Sequence, residues 1–282
     1  MSKQKLAKLV SAYAVPHTPS FIAEQHGQAP ITGAMSLFER IIEHLETSKP
    51  DVLVMIQNDH FNSFFLDNWP TFAIGLAPAV DGPSDQTPFM PPYSLPVDCD
   101  LARHIQQQCI ATDFDISSSQ ELSVDHSVLV PLHFLTPAMQ LPIVPIFVNC
   151  LVPPLPSAQR CYNFGKAIGD AVASWPSSKR LAVLASGSLS LEVGGPRIEP
   201  GKTFGVPDKD WAVQILEWVK AGAHDAMVCA STPGRMFEAG NVGGEVLNWI
   251  TLLGAVGPKS PDIVLNQPDL GNAFVAWSFD AA

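Results

Sequence analysis

The chain is poor in charge, and basic residues are the scarcer kind. Only 15% of the 282 residues are charged, with 16 Lys and Arg against 27 Asp and Glu, for a formal net charge of −11. The basic residues form no run anywhere in the sequence. This balance argues against nucleic acid or an anionic membrane surface as a partner. An anionic small-molecule substrate would need a local basic group.

Cysteine and long apolar runs are also scarce. The five cysteines are odd in number, widely spaced and form no C-x-x-C pair, so we expect reduced thiols and a cytoplasmic protein rather than a disulfide or zinc framework. The apolar stretch after the basic residues 1–8 is short and interrupted by Pro16 and His17, which fits neither a signal peptide nor a membrane anchor. The cysteines are Cys99, Cys109, Cys150, Cys161 and Cys229.

Short β-rich apolar runs alternate with stretches of helical period, which predicts an α/β fold: a central, mostly parallel or mixed sheet covered by helices. No repeat, low-complexity tract or linker divides the chain, and 46% of it is hydrophobic, so we expect a single domain over 1–282. The predicted strands lie near 8–15, 51–57, 71–76, 142–148, 180–186 and 272–279. The predicted helices lie near 33–48, 97–110, 157–174, 208–222 and 241–255.

Two segments rich in proline or glycine interrupt this pattern. Residues 81–96 contain five prolines, which lack an amide donor and fix φ, so this segment cannot continue a helix or a central strand. Residues 194–202 are similarly irregular. Either segment could cover a sheet edge or border a pocket.

Two histidines stand where predicted strands end. His60 follows the apolar run 51–57, and His17, between Pro16 and Thr18-Pro19, follows the run 8–15. Strand-to-loop junctions are where sites are built in α/β sheets. Glu245 is a third candidate, although an acidic residue at a helix start also complements the helix dipole. Two imidazoles and a carboxylate form the ligand set of non-haem Fe(II) oxygenases.

The remaining histidines divide by context. His126, in a turn before an apolar segment, is a candidate general acid or base, because an imidazole exchanges protons near neutral pH. His133 lies within that apolar segment and is interpreted as a packed core residue. The others are interpreted as surface residues: His26, His44, His104 and His224.

Five ordered blocks together resemble the class III extradiol ring-cleaving dioxygenases, the superfamily of the protocatechuate 4,5-dioxygenase β subunit. The resemblance spans nearly the whole chain, and the blocks at 59–65 and 154–160 are also similar to the 2,3-dihydroxyphenylpropionate 1,2-dioxygenase branch. The blocks are Pro16-His17-Thr18-Pro19, Asn58-Asp59-His60-Phe61-Asn62-Ser63-Phe64-Phe65, Val124-Asp125-His126 with Val130-Pro131-Leu132, Pro145-Ile146-Phe147-Val148-Asn149, and Gly240-Asn241-Val242-Gly243-Gly244-Glu245-Val246-Leu247-Asn248-Trp249.

The resemblance implies Fe(II) held by His17, His60 and Glu245, with the adjacent oxygens of a small aromatic substrate and O₂ filling the open positions. A metal ion lowers the pKa of a substrate hydroxyl as it lowers that of water. The resemblance also implies that His126 assists proton transfer.

One departure from the family pattern concerns a second acid/base histidine. Where the family usually reads Ser-Gly-Gly-Leu-Ser-His, this chain has Leu191, which cannot transfer a proton, in place of the final histidine. Glu192 or Ser190 could take that role, His126 could serve alone, or the protein could be a weakened paralogue. Leu191 would instead give the substrate pocket an apolar edge.

Further substrate contacts are proposed at Arg197 and Phe61. The planar guanidinium of Arg197 could bind a substrate carboxylate in bidentate fashion, although a surface ion pair is an equal alternative. Phe61 could line an aromatic slot or belong to the core, as could the other aromatic residues nearby. These are Phe64, Phe65, Trp69 and Tyr93.

The predicted function is an Fe(II)-dependent extradiol-type dioxygenase that opens the ring of a catecholic or aminophenolic compound. Alternatives are a non-catalytic paralogue or subunit, and a metal-dependent hydrolase that uses the same ligands. We expect a homo-oligomer, with a small α-type subunit as a further candidate partner. Neither nucleic acid nor a membrane is expected as a partner.

Overall fold

The computed structural model describes residues 5–279, and residues 1–4 and 280–282 of the predicted 1–282 domain lie outside the described range. The strands are β1 (Lys8–Val15), β2 (Val52–Gln57), β3 (Phe72–Gly75), β4 (Ala79–Gly82), β5 (Tyr93–Pro96), β6 (Ser117–Ser119), β7 (Ile143–Val148), β8 (Arg180–Ser186), β9 (Glu192–Val193), β10 (Phe204–Gly205), β11 (Ile263–Gln267) and β12 (Asn272–Ser278). The helices are α1 (Ser20–Gln25), α2 (Ala34–Ser48), α3 (Cys99–Ala111), α4 (His126–Leu135), α5 (Ala158–Ser174), α6 (Lys209–Ala221), α7 (His224–Ala230), α8 (Pro233–Glu238) and α9 (Val246–Val256).

An eight-stranded mixed sheet forms the centre of the fold, in the order β11-β12-β1-β8-β2-β7-β3-β6. Its middle strands β1, β8, β2 and β7 are parallel, while β12 pairs antiparallel with β1 and β3 pairs antiparallel with β7. The predicted α/β class with a mixed sheet is therefore confirmed. Strand β2 reads VLVMIQ and is buried throughout, as expected of a parallel strand covered on both faces.

Helices cover both faces of the sheet, and each face has its own apolar core. Alternation along β1 sends Ala12 and Ala14 into the core shared with α3, α5 and α9. It sends Tyr13 and Val15 into the core shared with α2 and α4. Helices α5 and α9 cross closely at Gly165, where a Cβ would stand 1.8 Å from the Thr251 carbonyl oxygen. This close packing fixes α9, the helix that follows Glu245.

The predicted strands and most predicted helices agree with the observed bounds to about one residue. The helix predicted near 241–255 begins later, at Val246, after a 3-10 turn at Gly243–Glu245. Helix α4 was not predicted, because its sequence is buried almost all round and contains Pro131, so it has no amphipathic period. The shorter elements were missed as well.

The irregular segments occupy the positions that their composition suggests. Residues 81–96 form a loop whose ends, β4 and β5, pair with each other outside the central sheet. Residues 194–202 connect β9 to β10, a second small hairpin. Among residues 5–279, no helix combines the length and apolarity needed to cross a bilayer.

Candidate metal centre and active site

The carboxyl ends of three neighbouring parallel strands meet at one edge of the sheet. His17 follows β1, His60 follows β2, and Ser186 ends β8, which lies between those two strands. Parallel strands present their carboxyl ends together, and ligands commonly bind outside that edge of an α/β sheet. The topology therefore brings residues far apart in sequence into one cluster.

His17, His60 and Glu245 converge at this edge. Oε1 of Glu245 lies 3.1 Å from Nε2 of His17 and 3.5 Å from Nε2 of His60. His17 and Glu245 are buried, and the side chain of His60 is 20% exposed. Two imidazole nitrogens and a carboxylate oxygen thus face one point, a combination of donors that can bind a divalent transition metal ion.

The outer nitrogen of each histidine is held by an oxygen. Nδ1 of His60 lies 2.9 Å from the Asp125 carboxylate, and Nδ1 of His17 lies 3.1 Å from the hydroxyl of Ser186. Ser186 donates its own proton to the Ser127 carbonyl, 2.7 Å away, so its oxygen must accept from His17. Both rings therefore carry hydrogen on Nδ1 and turn Nε2 toward Glu245, so Nε2 is the atom that would give up its proton and ligate a metal ion, while the oxygen behind each ring fixes its orientation.

Pro131 makes the Ser127 carbonyl available to Ser186. Proline has no amide hydrogen, so position 131 of α4 cannot form the helical hydrogen bond to the carbonyl four residues earlier. The hydroxyl of Ser186 occupies that acceptor instead. A helix irregularity thereby fixes the orientation of a serine that orients His17.

A strained turn presents His60. The next residue, Phe61, has a φ of 63°, in the left-handed region that a bulky residue rarely adopts. The Asp59 carboxylate stabilises the turn by accepting hydrogen bonds from the amides of Asn62, Ser63 and Phe64. The backbone amide of His60 also donates to Asp125, at 2.9 Å.

Glu245 is held by glycine-rich backbone on both sides. Its Oε2 accepts a 2.7 Å hydrogen bond from the amide of Ser188. Gly187, with a φ of 152°, leaves room for the Glu245 side chain, since a Cβ there would lie 3.0 Å from Cβ of Glu245. At Gly240 a Cβ would lie 1.8 Å from the carbonyl oxygen of Leu191. The turn 240–245 can therefore approach the 187–191 segment only with glycine at these points.

The ionisation of this cluster follows from its charges. Burial by itself would lower the pKa of His60, but Asp125 and Glu245 raise it to about 10. Burial would raise the pKa of Glu245, but His17 and His60 hold it far below its ordinary value. Asp125 is likewise held well below its ordinary pKa by His60 and His126, against the effect of burial. The carboxylates are therefore charged at neutral pH.

His126, the first residue of α4, is a third imidazole in the same cluster. Its ring stacks on that of His60 with centroids 4.1 Å apart and lies 5.4 Å from that of His17. Nitrogen atoms of these three rings lie within 4.8 Å of one another, so the trio could hold a metal ion. Burial, and then the nearby His60, lower the pKa of His126.

Asp85 is a member of the site that the sequence did not reveal. Its Oδ2 lies against Nδ1 of His126 and accepts a 2.9 Å hydrogen bond from the hydroxyl of Thr87. This leaves Nε2 of His126 as the nitrogen free for other groups. Asp85 belongs to the proline-rich loop 81–96, and apart from its place in that loop nothing in the sequence marks it as a site residue. Asp125, by contrast, could have been found as the residue adjoining His126.

A cavity of about 460 Å³ opens beside the cluster. Its walls include His17, His60, His126 and Glu245, together with apolar side chains, among them Leu191 and Pro88. Val193 and Thr203, which flank the irregular segment 194–202, also line it. Both irregular segments thus supply or adjoin part of the cavity wall.

The other predicted substrate contacts, and the candidate acid/base residue Glu192, lie outside the cavity wall. Ser190 is fully buried, donates to the Ala239 carbonyl and accepts from the amide of Asp208. Glu192 is buried and bonded to Arg197 at 2.7 Å. Phe61 is 45% exposed and packs on Trp69. Of the predicted substrate contacts, Leu191 alone is among the cavity-lining residues.

Two interpretations of outlying histidines were wrong. His224, expected at the surface, is only 3% exposed, and neither ring nitrogen has a hydrogen-bond partner among the described residues. His133, expected in the core, is half-buried and bonds to Tyr93 and Gln25. Helical amphipathicity did not distinguish a packed from an exposed imidazole in these short segments.

The sequence matches a family model along most of its length. The model, described as the catalytic LigB subunit of aromatic ring-opening dioxygenase, matches residues 11–268. A crystal structure of an uncharacterized protein from Escherichia coli K12 superposes with a TM-score of 0.60 at 14% identity, covering 95% of this chain and 100% of that one. At that identity the likeness concerns the fold alone.

Curated relatives share one kind of name. The 2,3-dihydroxyphenylpropionate/2,3-dihydroxicinnamic acid 1,2-dioxygenase of Paraburkholderia xenovorans is 33% identical over 193 residues, 68% of this chain and 58% of that protein. A dioxygenase of the same name from Azotobacter vinelandii is 30% identical over 241 residues, which cover 84% of this chain and 72% of that protein. One from Dechloromonas aromatica is 31% identical over 186 residues, and the match spans 57% of its length. The chain thus spans little more than half of some relatives.

Proposed function

We propose, from the premise that this chain belongs to the LigB family of aromatic ring-opening dioxygenase catalytic subunits, that it opens the ring of a catecholic or aminophenolic compound with O₂. The observation that carries the proposal is the convergence of His17, His60 and Glu245 beside a cavity of about 460 Å³. Both atoms of O₂ would enter the product.

We propose that these three residues hold Fe(II). The donor set fits, because two inward-facing Nε2 atoms, which would lose their protons when the ion binds, and one charged carboxylate oxygen suit a divalent ion and leave other positions open. The bound ion would supply Lewis acidity toward the substrate oxygens and redox contact with O₂. Ser186, Asp125 and the Ser188 amide fix the three ligands from behind.

His126 is proposed as the proton-transfer residue. Its Nδ1 is occupied by Asp85, so Nε2 is the atom that takes a proton from a substrate hydroxyl and returns it later in the reaction. Its lowered pKa keeps the ring neutral and able to accept that proton. Asp85 acts through His126 as a positioning residue, as a carboxylate does behind a catalytic imidazole.

The residues next to Leu191 do not replace the second acid/base histidine of the family pattern. Glu192 is committed to its ion pair with Arg197 and also accepts from the amide of Asn241. Ser190 is bonded away from the cavity. Proton transfer is therefore assigned to His126 alone, and Leu191 contributes apolar wall.

A dioxygenase, a metal-dependent hydrolase and a non-catalytic paralogue could all have these three ligands, and one experiment distinguishes them. The protein is loaded anaerobically with Fe(II), mixed with a catechol and then exposed to air while O₂ consumption and the yellow ring-opened product are followed. A dioxygenase consumes one O₂ per ring opened. A metal-dependent hydrolase would consume none, and a non-catalytic paralogue would bind the catechol without product.

The proposal extends to surroundings and assembly. We propose a cytoplasmic location, which suits the free thiols: burial raises the pKa of Cys109 and Cys161 to about 12, so both remain protonated. We also propose a homo-oligomer, with a small α-type subunit as a further partner. Sedimentation of the purified chain tests the homo-oligomer, and sedimentation after co-expression with a candidate small subunit tests the second partner.

A further inference from the structure

We propose that the cavity selects an uncharged substituent on the aromatic ring, either apolar or carrying a hydrogen-bond donor, and disfavours a carboxylate. This inference rests on the proposed function and specifies its substrate class. It differs from the expectation that Arg197 receives a substrate carboxylate. Three observations support it: the apolar wall of the cavity, the bonding of Arg197 to Glu192 and to backbone carbonyls, and an acceptor on Asn272 that has no hydrogen-bond partner among the described residues.

The wall beyond the metal-binding cluster is mainly apolar. Leu191, Val193, Phe204, Val242 and Leu270 line it. Among residues 5–279, no lysine or arginine lines this cavity. A carboxylate moved from water against such side chains would lose hydration without gaining a partner, whereas an alkyl or aryl group gains from the transfer.

Arg197 is occupied by other groups. Its Nη2 bonds to Glu192 at 2.7 Å, and its Nη1 donates to the carbonyls of Phe237 and Glu238 at 2.6 and 3.1 Å. The guanidinium also lies over the ring of Phe237, 4.8 Å from its centroid. Turning toward a substrate would leave the buried Glu192 carboxylate without its counter-charge, which is strongly unfavourable.

Asn272 adds a polar feature to the apolar wall. It lines the cavity and is 1% exposed, and its Nδ2 donates to the Thr18 hydroxyl at 3.1 Å. Its Oδ1 is buried and has no hydrogen-bond partner among the described residues. A buried acceptor without a donor is costly, so it favours a ligand that brings a hydroxyl or amino hydrogen. A carboxylate would bring only another acceptor.

The charges behind the cavity act in the same direction. Asp85 and Asp125, each bonded to a histidine of the cluster, add negative potential near the site. Lys202 is the nearest cation in sequence, next to the lining residue Thr203, and it is exposed. If any cation received a carboxylate, Lys202 would be the first to test.

The test is anaerobic binding calorimetry of the Fe(II)-loaded protein with two catechols matched in length. One carries a propyl chain and the other carries propionate at the same ring position. We expect the propyl compound to bind at least about tenfold more tightly, because the carboxylate of the propionate compound would lose hydration in the cavity without gaining a partner. Equal or tighter binding of the propionate compound would overturn the inference.

Single substitutions test which residues determine the preference for the propyl compound. Lys202→Ala should leave the ratio unchanged, and selective loss of propionate binding in this variant would overturn the proposal. Asn272→Leu should weaken a catechol that carries an amino group severalfold while leaving the propyl compound unaffected. Asn266→Leu, at an exposed asparagine of β11, is the matched control and should change neither. An Asn272→Leu protein that binds all the compounds like the parent would remove Asn272 from the account.

Failure of the inference and failure of the proposed function give different results. Tighter binding and ring opening of the propionate compound would contradict the inference while leaving the dioxygenase intact. If neither catechol bound the iron-loaded protein, both would fall together.

Discussion

Ser186 donates its hydroxyl hydrogen to the carbonyl of Ser127 across 2.7 Å, although the two residues are 59 apart in the sequence. This bond exists because Pro131 leaves that carbonyl without its helical partner. It obliges Ser186 to accept from Nδ1 of His17. The hydrogen on Nδ1 of His17, and with it the orientation that turns Nε2 inward, is thus set by a proline on α4.

Removing this hydroxyl should weaken metal binding. Ser186→Ala leaves Nδ1 of His17 without its acceptor, and loss of a group that hydrogen-bonds to a metal ligand typically costs about 10- to 100-fold in metal affinity. The measurement is competitive Fe(II) titration against a chelator. Ser231→Ala is the matched control, since Ser231 is buried and also donates to a backbone carbonyl, away from the site. Parent affinity in Ser186→Ala would show that Ser186 does not orient the ligand.

Iron binding should require all three proposed ligands. His17→Ala, His60→Ala and Glu245→Ala each remove one donor of three, leaving too few to hold a labile divalent ion. Elemental analysis after loading should find little iron in each variant, while His104→Ala, on α3, should retain it. Full occupancy in two of the three ligand variants would refute the assignment.

His126 should affect turnover much more than iron content. His126→Ala should lower kcat by about 10²- to 10⁴-fold, the usual value of general acid/base assistance, with iron still bound. Asp85→Asn should give a smaller loss in kcat with little change in KM, because it disturbs only the orientation of the ring. Loss of iron from His126→Ala would instead make His126 a ligand, and unchanged turnover would remove it from the mechanism.

His224 predicts a pH-dependent stability unrelated to the metal. Burial lowers its pKa below the ordinary 6.5, so between the two values the unfolded chain binds more protons than the folded one. Stability should therefore fall as the pH drops below about 6.5. His224→Leu removes this loss and a pair of unsatisfied buried nitrogens, so it should be more stable than the parent by about 1 kcal/mol or more at low pH.

Urea unfolding of metal-free protein at neutral and mildly acidic pH measures this difference. His26→Leu, at an exposed position, should show no pH-dependent gain over the parent. A His224→Leu protein that follows the parent at both pH values would mean that the buried ring does not contribute to acid sensitivity.

The sequence was sufficient for the scaffold because its signals are local. The strands before His17 and His60 are mainly apolar runs, and the turns after them are marked by proline or by the Asn58-Asp59 pair. Parallel pairing of β1, β8 and β2 then brings both histidines to one sheet edge. Their role as ligands stays a prediction that metal analysis must test.

The remaining features depend on contacts that no local pattern encodes. Asp85 reaches His126 from a loop 41 residues away, and nothing in its neighbourhood distinguishes it from a solvent-exposed aspartate. For Arg197 the sequence left an ion pair and a substrate contact as alternatives, and it did not identify Glu192, which was interpreted as a candidate base, as the ion-pair partner. Such pairings follow from tertiary packing, which residue propensity and hydrophobic periodicity do not predict.

Isotope labelling of the product tests the central claim most directly. The Fe(II)-loaded protein is given a propyl-substituted catechol under ¹⁸O₂ in unlabelled water, and the product is analysed by mass spectrometry. Ring opening by a dioxygenase predicts that both oxygen atoms of one O₂ appear in the product, after correction for exchange with water. A product that takes its oxygen from water alone, or recovery of unchanged catechol with iron bound, would contradict the account.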